Sequence, residues 1–193
     1  MRELVKMVVV LTVICAASGF VLSYVNEVTQ APREYQLLKY VQEPSIKAVL
    51  RSYSNDPIKD RIELTMGTNE KGEPIKKTVF PAKENGKVVA IAYGSAATGY
   101  HGPIDVMVGI DPEGKLTGIS VMTHSETPGL GARVVEPAFT EQFAGLELSG
   151  QLNVAAQGGK ISAVSGATLS SNGVVNAVRS ALEVFPEVKK EVF

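Results

Sequence analysis

Met7 to Val25 is a run of 19 consecutive residues without a charge, MVVVLTVICAASGFVLSYV. As a helix rising about 1.5 Å per residue, such a run spans roughly 28 Å, close to the hydrocarbon thickness of a bilayer. Only Thr12, Ser18 and Ser23 are clearly polar, and hydroxyls within a helix can bond back to the preceding turn. Arg2 and Lys6 lie on the short N-terminal side, the side that the positive-inside rule keeps in the cytoplasm. The expectation is a transmembrane anchor over residues 1–27 that crosses the cell inner (plasma) membrane once. Residues 28–193 then form an extracytoplasmic domain, in the periplasm or outside the cell. A cleaved signal peptide is one competing reading, since Ala16-Ala17-Ser18 offers a small-residue site, but the apolar run continues through Phe20-Val21-Leu22. Cys15 follows Val13-Ile14 rather than the small residues of a lipoprotein signal. The other competing reading is a core helix of a soluble domain, for which so long an uncharged stretch is unusual.

The 193 residues suffice for one compact domain beside such an anchor. Lys plus Arg number 19 against 20 Asp plus Glu, so there is no basic footprint for nucleic acid. A single cysteine excludes an internal disulfide framework and any cysteine-built zinc or iron–sulfur site. Two histidines, His101 and His124, leave little for a metal centre. No metal site is expected, and any chemistry must come from hydroxyls, carboxylates, backbone groups or a borrowed cofactor.

Beyond the anchor, Ala31-Pro32 reads as the close of the juxtamembrane piece. Residues 33–51 read as helical, interrupted at Pro44. Residues 52–77 are polar and turn-rich, with Asn55-Asp56-Pro57, Asn69-Glu70-Lys71-Gly72 and a short apolar insert at Ile62-Glu63-Leu64. Two hairpins follow. Thr78–Pro81 and Val88–Tyr93 flank Asn85-Gly86, a dipeptide that accepts the positive φ of a tight turn. Ile104–Ile110 and Leu116–Met122 flank Asp111-Pro112-Glu113-Gly114. Phe139–Phe143 reads as a short helix, and Val174, Val175, Val178 and Leu182 mark a closing amphipathic helix ending near Pro186. Hairpins with helices before and after them imply an α+β fold rather than a doubly wound sheet.

Two segments carry more glycine and hydroxyl groups than an ordinary core. In His124-Ser125-Glu126-Thr127-Pro128-Gly129-Leu130-Gly131-Ala132 the glycines permit close backbone approach, so a flat ligand could lie against peptide groups and Leu130. A plain strand-to-helix connection is the ordinary alternative. Ser165-Gly166-Ala167-Thr168-Leu169-Ser170-Ser171-Asn172-Gly173 opens the closing helix, where amides and the helix dipole favour an anion. The ordinary alternative here is an N-cap, although four hydroxyls exceed what one cap needs. His101, His124, Glu126 and Arg133 are the acid–base candidates, and their spacing forms no catalytic triad.

Ser165-Gly166-Ala167-Thr168, followed by Ser170-Ser171, resembles the flavinylation motif of membrane-anchored FMN-binding domains. Glu126-Thr127-Pro128-Gly129-Leu130-Gly131 resembles that family's second signature, and Gly99-Tyr100-His101-Gly102-Pro103-Ile104 a third element. With the anchor, the resemblance covers nearly the whole chain, and is to the G subunit of Rnf complexes, the ion-translocating ferredoxin:NAD oxidoreductases. The C subunit of the Na⁺-translocating NADH:quinone reductase is the related alternative. The resemblance implies FMN bound covalently through a phosphoester to Thr168. It implies Ser165, Gly166, Ala167 and Ser171 around the phosphate, with Glu126, Thr127, Leu130 and Gly131 near the ribityl chain or ring. One departure is Ser162, where the family often carries Asp three residues before the motif's serine.

On this resemblance the chain has no catalytic residue of its own. It is an electron carrier within a multi-subunit translocase, its partners the other membrane and peripheral subunits, with a flavin transferase acting during maturation. An anchored module that binds an anion without redox work is the alternative of a different class.

Overall fold

The computed structural model describes residues 1–68, 74–149 and 151–193. Contacts divide the chain into two units, Met1–Tyr40 and Val41–Phe193. The first is essentially one helix, α1 (Arg2–Leu37), whose stretch Arg2–Gln30 is long and apolar enough to cross a membrane, with none of its most apolar window buried in protein. A helix of this length and composition agrees with the anchor expected from the sequence. Thr12 donates back to the Val8 carbonyl at 2.9 Å, keeping its hydroxyl satisfied within the helix. The boundary expected at residue 27 falls inside α1. Ala31-Pro32 does not close the helix, because proline removes only one backbone donor there.

In the second unit, α2 (Glu43–Val49) starts with Pro44 in its first turn. Pro44 does not break the helical stretch; it lies where a π-helical turn (Leu38–Gln42) passes directly into α2. Five strands follow: β1 (Ile62–Thr68), β2 (Pro74–Glu84), β3 (Lys87–Thr98), β4 (Pro103–Ile110) and β5 (Leu116–Thr123). They form one antiparallel sheet in sequence order. The β2–β3 turn has Asn85 at φ 52° and Gly86 at φ 79°, the conformations that a two-residue hairpin loop requires. Ile62-Glu63-Leu64, read from sequence as an insert, belongs to β1, which pairs with β2 from Ile62 opposite Val79. The turn expected at Asn69–Gly72 lies outside the described residues.

After β5 the chain runs through a 3-10 turn (Gly131–Val135), α3 (Pro137–Thr140) and a further 3-10 turn (Glu141–Phe143). The long α4 (Thr168–Val192) closes the fold. It does not end near Pro186. Phe185 and Val188, on either side of the proline, are both buried, and their packing holds the helix together beyond the missing donor. The α+β expectation holds.

The core lies between α4 and one sheet face. Ile91, Tyr93, Ile104, Val106, Val108 and Ile110 meet Val174, Val178, Ala181 and Leu182 there, with Phe139, Phe143 and Leu152 completing the cluster. On the other face α2 packs against β4 and β5, where Met107, Ile46 and Val49 are covered, and Ala92 of β3 is buried as well. Both faces of the central strands are thus covered, which is why Val106–Ile110 reads as a continuous apolar run. The Tyr93 hydroxyl donates to the Ala181 carbonyl at 2.7 Å, tying β3 to the middle of α4.

α4 crosses the end of β3 at glycine. A Cβ on Gly173 would sit 2.8 Å from Gly99 Cα and 3.0 Å from the Thr98 carbonyl oxygen. Alanine there would gain about 1 kcal/mol of helix propensity. Overpacking typically costs about 1–3 kcal/mol, and these neighbours are backbone atoms that cannot rotate aside. Gly173→Ala is therefore expected to lower stability by up to about 2 kcal/mol in urea denaturation; a stabilised variant would show that the crossing is loose.

Candidate functional site

The three glycine-rich segments singled out in the sequence meet at the start of α4. They enclose a cavity of about 420 Å³ lined by Tyr100, Glu126, Thr127, Leu130, Gly131, Gly166, Ala167, Thr168, Leu169 and Ser170, within the size range of small-molecule sites. The meeting is held by Glu126. Its Oε1 accepts the amides of Tyr100 at 2.8 Å and His101 at 3.1 Å, and its Oε2 accepts the Ser170 hydroxyl at 2.5 Å. Glu126 is only 5% exposed and Ser170 2%.

Glycine makes room for this carboxylate. A Cβ on Gly99 would lie 2.5 Å from Glu126 Oε1, and one on Gly131 would lie 2.8 Å from Oε2 and 2.7 Å from Ser170 Oγ. Burial pushes the Glu126 carboxyl upward, but the hydrogen bonds from Ser170, His101 and Tyr100 outweigh it. They hold the group below the ordinary glutamate range, aided by the nearby His101 ring. Both carboxylate oxygens face inward on protein donors, so Glu126 lines the cavity as a brace.

The four hydroxyls of the Ser165–Ser171 segment divide in two. Ser170 binds Glu126, and Ser171, fully buried, accepts the Val164 amide and donates to the Ala167 carbonyl, each at 3.0 Å. Ser171 thus holds the turn together from behind and does not line the cavity. Ser165 and Thr168 are exposed, and neither hydroxyl has a partner among the described residues. The N-cap position falls on Ala167, with no side-chain cap. The capping role that Ser or Thr could have filled is therefore vacant, and the Thr168, Leu169 and Ser170 amides have no acceptor among the described residues. Gly166 adopts φ 76° and sits against Leu130, where a Cβ would approach Leu130 Cδ1 to 2.9 Å.

Tyr100, Leu130 and Leu169 present exposed apolar surface around the opening. Sequence reasoning misses Tyr100 and Leu169 as site residues; Tyr100 sits in the third motif element and Leu169 inside the hydroxyl-rich segment, so both were within reach. The acid–base candidates take supporting places. His101 Nδ1 lies 3.3 Å from Thr127 Oγ1, His124 Nδ1 accepts the Glu126 amide at 3.2 Å, and Arg133 pairs with Glu136. Ser162, the departure from the family pattern, points its side chain outward. Its backbone is clasped by Gln142, which accepts the Ser162 amide at 2.7 Å and donates to its carbonyl at 3.2 Å.

The cavity combines an anion-seeking end and apolar walls. Unpaired amides at the start of a 25-residue helix suit a phosphate, the free Thr168 hydroxyl lies beside them, and Tyr100, Leu130 and Leu169 suit a planar ring. The residues present fit FMN.

A carboxyl held low in the folded state contributes its stability fully above the unfolded value of about 4.3, and loses it as pH falls through the folded value. Wild type should be more stable than Glu126→Gln at neutral pH, with the gap closing as pH drops below about 4.3. Urea denaturation across that range checks this, and a gap independent of pH contradicts it.

An FMN-binding domain family matches residues 99–183, from the Gly99 turn into α4. The chain is 32% identical over 185 residues to the G subunit of the ion-translocating oxidoreductase complex of Methanosarcina acetivorans, covering 94% of each chain. It is 29% identical over 175 residues to the G subunit of the proton-translocating ferredoxin:NAD(+) oxidoreductase complex of Clostridium ljungdahlii, covering 90% of this chain and 86% of that one. The fold is also that of the crystal structure of the C subunit of Na(+)-translocating NADH-quinone reductase from Parabacteroides distasonis. That match has a TM-score of 0.57 at 19% identity, over 81% of this chain and 96% of that chain. Similarity to these G subunits along nearly the full length, together with the cavity at the meeting of the three motif segments, places this chain in the G-subunit family of ion-translocating oxidoreductase complexes.

Proposed function

We propose that this chain is the FMN-carrying electron-transfer subunit of an Rnf-type ion-translocating ferredoxin:NAD oxidoreductase complex, with the flavin esterified through its phosphate to Thr168. The observation that carries the reading is the exposed, unpartnered Thr168 hydroxyl at an uncapped helix start on the cavity wall. Bound FMN supplies the one- and two-electron chemistry. The protein contributes position, charge and shelter.

The amides of residues 168–170 and the dipole of α4 offset phosphate charge, an effect of about 0.3–2 kcal/mol. No Lys or Arg is among the residues that line the cavity, so this hold alone is modest. An ester bond makes retention independent of affinity, which suits a cofactor facing the outside of the cell. Forming it needs an activated donor. Thr168 Oγ bonds to the phosphorus of a flavin dinucleotide, the phosphoanhydride bond breaks, a nucleoside monophosphate leaves with the electron pair, and a transferase base takes the hydroxyl proton. Tyr100, Leu130 and Leu169 are the apolar surfaces against which the ring would rest.

The helix Arg2–Gln30 supports a membrane anchor. Arg2 and Lys6 on its short N-terminal side support a cytoplasmic N-terminus and an extracytoplasmic FMN-binding domain beside the other subunits of the complex. The flavin transferase then acts on that side.

Protein from its native host, or co-expressed with a flavin transferase, should stay fluorescent after denaturation and carry the added mass of one FMN less water. Thr168→Val keeps the side-chain shape and removes the hydroxyl, so the mass and fluorescence should vanish. A denatured Thr168→Val chain that remains fluorescent rejects the assignment, and a bare wild-type mass favours an anion-binding module without redox work.

A further inference from the structure

The acceptor hydroxyl and its amides belong to α4, whereas Tyr100 and Leu130 belong to segments 68 and 38 residues earlier in the chain. No backbone pairing among the described residues joins the Tyr100-His101 turn to the Thr168–Ser170 turn. Glu126 joins them instead. One oxygen holds the Tyr100 and His101 amides and the other holds Ser170, two residues beyond Thr168 on the same helical turn. The groups facing this carboxylate are those amides, the Ser170 hydroxyl, the His101 ring and the Gly99 and Gly131 backbones; no lysine or arginine competes for it among the cavity-lining residues.

We propose that Glu126 is the positioning residue for flavin attachment: its carboxylate sets Thr168 Oγ and the neighbouring amides against the Tyr100 and Leu130 walls. Flavin attachment therefore depends on the folded three-segment pocket as well as on the Ser165–Ser171 stretch itself. This rests on Thr168 being the attachment point and deepens that reading. Glu126 touches none of the reacting atoms; it acts through Ser170 and the first turn of α4. Misplacement of a reacting group by about 1 Å can slow a reaction by as much as about 100-fold, so loosening this one brace should be visible as a rate.

The test is the initial rate of FMN gain by the full-length chain in detergent, with a flavin transferase and flavin dinucleotide, followed by intact mass and a peptide map of Thr168. Wild type should be modified to completion; a wild type that gains no mass sinks both this proposal and the covalent reading. If wild type is modified, the variants test the proposal alone. Glu126→Ala should be slowed about tenfold or more, and Ser170→Ala, which releases one arm only, by several-fold. Glu126→Gln keeps an acceptor for the two amides and should recover most of the rate. Tyr93→Phe, which removes a buried hydrogen bond elsewhere in the core, should lower the melting temperature and leave the rate unchanged.

Wild-type rates in both Glu126→Ala and Ser170→Ala overturn the proposal. So does an equal slowing in Tyr93→Phe, which would make general destabilisation the cause, and so does a failure of Gln to rescue. Should Glu126→Ala not fold, Ser170→Ala with Glu126→Gln decides in the same way.

Discussion

A single buried carboxylate links the parts of this domain that matter for its chemistry. Taking Glu126 out of water disfavours its charge, and three donors from two other segments more than restore it. Because those donors come from the Tyr100-His101 turn and from the first turn of α4, the bonds that offset burial also fix the cavity's shape. Removing any donor would leave a buried acceptor underused, which is costly. The glycines at 99 and 131 follow from the same constraint, since a side chain at either would occupy the space of the carboxylate or of Ser170 Oγ.

Around this brace the polar groups are sorted by direction. Ser170 and Ser171 turn inward and are satisfied by protein partners. Thr168 and three amides turn outward and are left for a ligand. A helix start normally takes a Ser, Thr, Asp or Asn cap; here Ala167 holds that position, and the omission keeps the positive end of α4 open. With no cation among the lining residues, attraction for a phosphate is limited to amides and dipole. The covalent bond proposed at Thr168 would compensate for that weakness.

Much of the architecture is legible in the chain. Asn85-Gly86 and Asp111–Gly114 mark the β2–β3 and β4–β5 turns because their backbone angles are local properties, and the 3-to-4 spacing of Val174, Val175, Val178 and Leu182 marks α4. The prolines are where local reading fails. Pro32, Pro44 and Pro186 all lie within helical stretches, because the outcome depends on what supports the neighbouring turns: Phe185 and Val188 bury on either side of Pro186, and no local rule contains that packing. β1 is a different case: Ile62, Leu64 and Met66 alternate with polar Glu63 and Thr65, the period of a half-buried strand, so it is legible, and reading it only as a short insert overlooks that alternation.

Local chemistry suffices for the membrane-length helix, the hairpin turns and the identity of the candidate acceptor, since each depends on residues within a turn or two of one another. It also marks the three segments that form the site. That these segments meet, that Glu126 and Ser170 face each other, and that Ser171 belongs behind the turn while Thr168 faces the cavity are properties of the folded chain alone. Hydrogen bonds between residues 44 positions apart, and glycines that permit two backbones to touch, depend on the path of the whole chain, which no local window contains.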